Sequence, residues 1–402
     1  MLLRILTLVL LVSVMALLSV GVITVFSTTY DTSGMELIEK QGIWIGLGGA
    51  LCLAVVGVRL EFLARHANLL LLCVGLALAY LFAGVVVNKC LGEQAVEMMP
   101  FLAGGATKGS FRWLKYGSLR LQPSEFAKFA LLLYLSVYYG TRSRAVVNSF
   151  VGGVLKPVLA GGSVLALIML GKDLSTTVVT AVMFGGLMFC GGVRFRYLLL
   201  VLVLAIAGGT TMVLTSPERI SRITSFQNAA ATKDGDGYQL YLSQLALGGG
   251  GLEGRGFSRS LMKTGYLPEK HTDFILAIWG EEMGYWGMLG VLLCYFALLG
   301  SLFGIALLCR ERTGTLICMG FGILVAMQSI TNIGVISGWL PTTGVTAPFV
   351  SYGGSSMMSL LMCVGLVLNV CRRTMRSQLR HAVRGGGLPS FSEVGARVNG
   401  WH

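Results

Sequence analysis

Long apolar runs separated by short polar interruptions set the pattern of this chain. They lie near residues 5–27, 42–60, 67–90, 125–141, 151–171, 174–192, 196–215, 274–308, 314–338 and 349–371. A helix needs roughly 20 apolar residues to cross a hydrocarbon layer about 30 Å thick. The pattern therefore predicts an all-α polytopic membrane protein with about ten transmembrane helices. Two runs are diluted: the fourth by Glu125 and Lys128, the ninth by Gly, Ser and Asn332. The first run is too long for a signal-peptide core and has no small-residue cleavage site, so it is expected to stay as a helix.

Composition agrees with this reading. The chain has 402 residues, 54% of them hydrophobic and only 12% charged, with a mean hydropathy of +0.76. Two or three soluble domains of the same length would carry far more charge. The formal net charge is +13. Much of it sits in alternate loops, at Arg59 and Arg65, at Arg142, Arg144 and Lys156, at Arg194 and Arg196, at Arg310 and Arg312, and at Arg372 and Arg373. Lys and Arg mark cytoplasmic loops, so both termini are expected in the cytoplasm. The charge is then topology signal and contact with anionic lipid, and no nucleic-acid partner is implied. Nine Cys without a CxxC read as small core hydrophobes, and four His without HExxH give no zinc site.

On this topology the outward loops are 28–41, 91–124, 172–173, 216–273 and 339–348, with the large one, 216–273, between helices 7 and 8. Loops longer than about 12–15 residues are usually functional or disordered. The first long loop contains "FRWLKYGSLRLQPSEFAK", the second "SPERISRITSF", "YQLYLSQLAL" and "GGGGLEGRGFS". The second of these three reads as an amphipathic segment. The Gly run 248–251 could bring backbone amides to a phosphate or form a turn after a surface helix. Around Lys233, Asp234 and Asp236 the loop reads as a solvated tip.

Three constellations carry the candidate chemistry. In "GYLPEKHTDFILAIWGEEMG", Thr272 or Asp273 could cap the following helix, or Asp273, beside Lys270 and His271, could act as a base at the outer lip of the membrane. Glu281 and Glu282 fall about 12–13 Å along that helix at 1.5 Å per residue, deep enough to demand either a buried ion pair or a functional cavity. In "QPSEFAK", Pro123 suits a helix start and Glu125 and Lys128 share one face. In "NIGVISGWLPTTGVTAPFVSYGGSS", Pro341, Pro348 and Gly353-Gly354 interrupt two helices, which lipid tolerates only where the segment lines a cavity; Ser351 and Gly353 join the candidates.

Together "QPSEFAK", "LPEKHTDFILAIWGEEMG" and "PFVSYGGSS" resemble the shape, elongation, division and sporulation family of peptidoglycan polymerases, and "SPERISRITSF" with "GDGYQLYLSQLALGGGG" is more similar to its division branch than to its elongation branch. The similarity spans about residues 100–372. It implies a ten-helix glycosyltransferase domain over 1–372, followed by a basic cytoplasmic tail, 373–402, expected to be disordered. Asp273 matches the family's catalytic Asp, Glu125 and Lys128 its cavity-lining polar pair, and Arg112 the Arg before its Trp. "GKDLSTT" stands where the family tends to have "PDLGTT", with Lys172 for Pro and Asp173 retained as a secondary candidate.

The implied reaction joins two lipid II units. The 4-hydroxyl of an acceptor GlcNAc attacks C1 of a donor MurNAc, and undecaprenyl diphosphate leaves. Asp273 is the expected base. Arg112, Lys128 and Lys270, or a divalent cation such as magnesium, are the candidates to meet the diphosphate charge. Lipid II, a class B penicillin-binding transpeptidase and other division proteins are the expected partners. A lipid II flippase and a non-catalytic scaffold are the competing readings; no internal repeat favours the flippase.

Overall fold

The computed structural model describes residues 1–92, 94–95, 99–102, 111–117, 119–227, 237–263 and 271–383. Twelve helices are named here: α1 (Leu2–Ser33), α2 (Glu36–Gly57), α3 (Leu60–Leu91), α4 (Pro123–Thr141), α5 (Val151–Leu170), α6 (Leu174–Cys190), α7 (Phe195–Leu214), α8 (Pro217–Gln227), α9 (Tyr238–Gly250), α10 (Ile275–Leu308), α11 (Arg312–Ile336) and α12 (Gly354–Val383). Among the described residues eight of these, all but α4, α6, α8 and α9, are long and apolar enough to cross a membrane. α6 is shorter at 17 residues, and α4 carries Glu125 and Lys128 in its first two turns. A two-stranded antiparallel hairpin precedes α4, with β1 (Leu114–Tyr116) facing β2 (Leu119–Leu121) and Lys115 opposite Arg120.

Burial explains why α4 can hold charge. Phe129 to Leu135 are all buried, so α4 is enclosed by protein on every side and its polar groups meet other side chains instead of lipid. α11 and α12 are also largely enclosed, whereas α7 has no buried residue at all. α7 is thus an outlying helix, attached to the bundle chiefly through its neighbours α6 and α8.

The basic loops predicted to share a side share one end of the bundle. Arg312 donates to the carbonyls of Arg142, at 3.4 Å, and Gly191. Arg373 pairs with Glu61 at 2.6 Å and Glu311 at 2.7 Å, and Asn369 donates to Val55 and Val58, each at 2.7 Å. α12 runs to Val383, so position 373 falls inside a helix; the tail beyond 383 lies outside the described residues, as do Lys233, Asp234 and Asp236.

α5 opens with two π-wound stretches, Val151–Leu155 and Val158–Gly162, around Pro157. Proline supplies no amide to the ladder, and the widened turns expose carbonyls. The hydroxyls of Tyr138 and Tyr139 on α4 donate to two of them, Gly152 at 2.7 Å and Gly153 at 2.8 Å.

α10 is not one straight rod. Gly284 has φ 64° and ψ −160°, which kinks the helix two residues after Glu282. The expectation of two glutamates deep in a continuous helix gives way to a docked loop. Arg255 N donates to Glu281 O and Gly256 N to Glu282 O, both at 3.0 Å, while Tyr285 N donates to Gly251 O at 2.9 Å. The Gly-rich stretch therefore lays its backbone on the backbone of the kink. Gly254, at φ 81°, has no room for a Cβ because Glu282 O occupies that space.

This contact yields a direct test. Gly254→Ala is expected to lower stability by about 1–3 kcal/mol, from the left-handed backbone and the overlap together. Gly248→Ala, at a helical glycine with nothing within 4 Å, is expected to be neutral or slightly stabilising. Thermal unfolding of the two variants in detergent checks the contrast; equal effects would count against the docking.

Candidate active site

Opposite the basic end, a cavity of about 1180 Å³ opens between α4, the start of α6, the end of α7, α11 and the broken segment after it. It is lined by Arg112, Glu125, Lys128, Asp173, Asp273 and Gly353 from the predicted set. Segments far apart in sequence thus converge on one space.

Asp273 is placed by its backbone. The first helical residue of α10 is Ile275, its N-cap is Phe274, and no side chain caps it, so the capping role considered for Thr272 and Asp273 is not the one they play. Three successive carbonyls are held from the other wall instead. Tyr352 N donates to His271 O at 3.0 Å, Ser351 Oγ to Thr272 O at 2.6 Å, and Asn332 Nδ2 to Asp273 O at 2.8 Å. Asn332 Nδ2 also donates to Val345 O at 2.8 Å. The carboxylate reaches the 341–346 stretch: a Cβ on Gly344 would sit 3.4 Å from Asp273 Oδ2.

The broken segment after α11 is itself fixed. Ser351 Oγ accepts from Ala347 N at 2.8 Å, and Phe349 is buried in the left-handed region at φ 64°. Buried left-handed non-glycine residues persist only where surrounding packing enforces them. Gly21 on α1 provides the room, since any Cβ there would meet the carbonyls of Phe349 and Val350.

On α4, Lys128 Nζ lies 2.7 Å from Glu125 Oε2, with side-chain exposures of 3% and 11%. Such a pair is costly to desolvate and strongly destabilising to break. Asp173 caps α6, accepting from Thr176 N at 3.3 Å, and its other oxygen accepts from Gln122 Nε2 and Ser124 Oγ, each at 3.1 Å. Arg112 Nη2 donates to Lys172 O at 2.6 Å. Lys172 has φ 62°, a backbone that proline, fixed near −65°, cannot take. The turn before Asp173 is therefore built differently from one with proline at that position.

Other predicted residues stand apart. Glu281 is away from the cavity; it accepts from Ser260 Oγ, Leu261 N at 3.0 Å and Met262 N at 3.3 Å, with Arg255 Nε at 3.4 Å. Glu282 accepts from Ser27 Oγ, and Lys263 Nζ donates to Ser27 O at 3.2 Å and Ser258 Oγ at 2.6 Å. These groups fasten the large loop to α1 and α10. Ser351 acts through Thr272, and His271 stacks edge-on against Tyr352 with 5.8 Å between ring centres. Lys270 lies outside the described residues. Gln122, Arg219 and Gln328 line the cavity too and were not singled out. Gln122 and Arg219 stand inside quoted motifs, "QPSEFAK" and "SPERISRITSF"; Gln328 carries no local signal.

Among the described residues no three His, Cys, Asp or Glu side chains gather as metal ligands. Glu125 faces Lys128, and Asp173 is taken up by Gln122 and Ser124, so these two carboxylates of the cavity wall already have protein partners.

Both the sequence and the fold of this chain have relatives among known proteins. The sequence model of the FtsW, RodA and SpoVE group, described as cell cycle protein, matches residues 1–376. A protein of Aeromonas salmonicida named "Probable peptidoglycan glycosyltransferase FtsW" is 35% identical over 318 residues, 77% of this chain and 80% of its own. One of the same name from Saccharophagus degradans is 34% identical over 368 residues, 89% and 90% of the two chains. Among solved structures, a chain of a peptidoglycan synthase complex that coordinates polymerization and crosslinking superposes with TM-score 0.73 at 28% identity, covering 91% of this chain and 97% of that one. The rod shape determining protein RodA of Thermus thermophilus gives TM-score 0.65 at 27% identity, over 90% and 95%. With the family model running through nearly every helix of the bundle, this chain belongs to the FtsW, RodA and SpoVE family of membrane-embedded cell cycle proteins.

Proposed function

We propose that the chain is a peptidoglycan glycosyltransferase of cell division that polymerises lipid II, with Asp273 as the base. The observation that carries this reading is the shared cavity, which sets one backbone-clamped carboxylate among Arg112, Lys128 and Arg219. The acceptor's 4-hydroxyl gives its proton to Asp273 as its oxygen bonds C1 of the donor sugar. The C1–O bond to the diphosphate breaks, and the electron pair leaves with undecaprenyl diphosphate. Attack from the opposite face converts an α-linked donor to a β-linked product. A positioned base contributes about 10²–10⁴ in rate. Cationic side chains aimed at the departing diphosphate favour the transition state over the bound substrate, because charge builds on the leaving oxygens only as the bond breaks. A magnesium ion would belong to this reading only as a companion of the diphosphate, and no step here depends on it.

The same reading sets the cavity on the extracytoplasmic side of a bacterial inner membrane and the Arg-rich end in the cytoplasm, as Lys and Arg distribution favours. It also pairs the chain with a class B penicillin-binding transpeptidase, supported by the likeness to the peptidoglycan synthase complex. The names of its relatives favour division over elongation.

Purified protein given lipid II in detergent, with and without a cognate transpeptidase, tests the proposal. Glycan chains separated on a gel are the expected product. Movement of lipid II across vesicles without polymer would support a flippase instead, and neither activity would leave a scaffold.

A further inference from the structure

Gln328 stands on α11 one turn before Asn332, on the same face of the helix. Its side chain lines the cavity, the residue is 2% exposed, and its Oε1 is buried without a hydrogen-bond partner among the described residues. A buried amide left unbonded costs about 1–3 kcal/mol, so such a group usually has something to meet. Several neighbouring polar groups are committed to protein, Asn332 Nδ2 to Asp273 and Val345, Asp173 to Gln122, Ser124 and Thr176, and Lys128 to Glu125, while Asn332 Oδ1 and the cavity-lining Thr343 Oγ1 share with Gln328 Oε1 the lack of a hydrogen-bond partner among the described residues.

The chemistry of the missing partner is restricted. An acceptor needs a donor, and a diphosphate at neutral pH has only acceptors facing a site, so the leaving group does not satisfy Oε1. A primary amide offers one acceptor and two donors side by side. A secondary amide offers the complementary pair, an N–H and a C=O. The surroundings suit its methyl group as well. α6 and α11 run antiparallel, with Gly191 beside Arg312 and Gly186 against Ile323, which brings the Val179 turn to about the level of Gln328 at 1.5 Å rise per residue. Val179 and Val345 both line the cavity.

Building on the polymerase reading, we infer that Gln328 reads the 2-acetamido group of one sugar of the lipid-linked substrate, its Oε1 accepting the acetamido N–H. Gln328 is then a specificity residue, touching substrate but taking no part in proton transfer.

The test uses lipid II and two analogues in which the 2-acetamido group of one sugar or the other is replaced by 2-acetoxy. The ester keeps the acetyl shape and loses the N–H. Wild-type protein is expected to use one of the two analogues about 10–100-fold less well in kcat/KM than lipid II, the range a stranded buried acceptor produces. Gln328→Met, of similar length and apolar, is expected to lower kcat/KM for lipid II by a similar factor and to treat that analogue and lipid II alike. Gln328→Glu, which keeps an acceptor, is expected to retain part of the discrimination, and it serves should the Met variant fail to fold. Wild type that does not distinguish either ester, or a Met variant that discriminates as wild type does, overturns the inference. Those outcomes identify an amide bound to water or a helix-packing role. Wild type that makes no polymer from lipid II overturns the polymerase reading itself, a result separable from the other two.

Discussion

Asp273→Asn is expected to cut polymer formation from lipid II by about 10²–10⁴ while leaving the protein folded and its KM for lipid II nearly unchanged. Asparagine has the same shape, and the clamp on this loop grips carbonyls of residues 271–273, which the substitution does not touch. What disappears is the capacity to accept a proton. Asp273→Glu is expected to restore little. The carboxylate already reaches Gly344, where an added Cβ would be 3.4 Å from it, so a longer side chain has to point elsewhere. Single-turnover assays with both variants check this, and an Asp273→Asn protein as fast as wild type would remove the base from the mechanism.

The second large effect concerns the buried pair on α4. Lys128→Met leaves Glu125 enclosed without its counter-charge, a change expected to cost about 3–5 kcal/mol of stability. The double variant Glu125→Gln with Lys128→Met removes both charges and is expected to recover most of that loss, because an apolar replacement of a buried pair is often neutral. Activity is expected to stay low in the double variant, since the cavity has lost a cation meant for the diphosphate. Melting in detergent beside glycan assays separates the two roles. Recovery of both stability and activity would make the pair purely structural.

Much of this was legible in the chain because lipid imposes a strict rule on backbone groups, and the rule leaves long apolar runs as its trace. The α11 run shows the limit of the same trace. Gln328 and Asn332 both look like polar dilution of an apolar run, and only the packing of α4, α6 and α11 shows that one ties two walls together while the other is a buried residue of the cavity wall. The motif marks Asp273 as either cap or base, and the structure removes the first of these by making Phe274 the N-cap, leaving the base as the proposed role. The Gly run 248–251 offered a phosphate approach or a turn after a surface helix; 248–250 end α9 and Gly251 turns the chain, while the following Arg255 and Gly256 lay their amides on Glu281 O and Glu282 O, a pairing more than 25 residues apart that has no local signature.

The three carbonyls gripped by Asn332, Ser351 and Tyr352 tie residues 271–273 and the 345–352 stretch into a single jaw. Its opposite number, bearing Met212 to Arg219, hangs from α7, which has no fully buried residue and packs on the bundle only through partly buried side chains such as Tyr197, Leu198 and Val201. Compliance is therefore expected on one side: under the polymerase proposal a growing strand widens the gap by displacing the second jaw, and the proposed proton acceptor keeps its aim from one addition to the next.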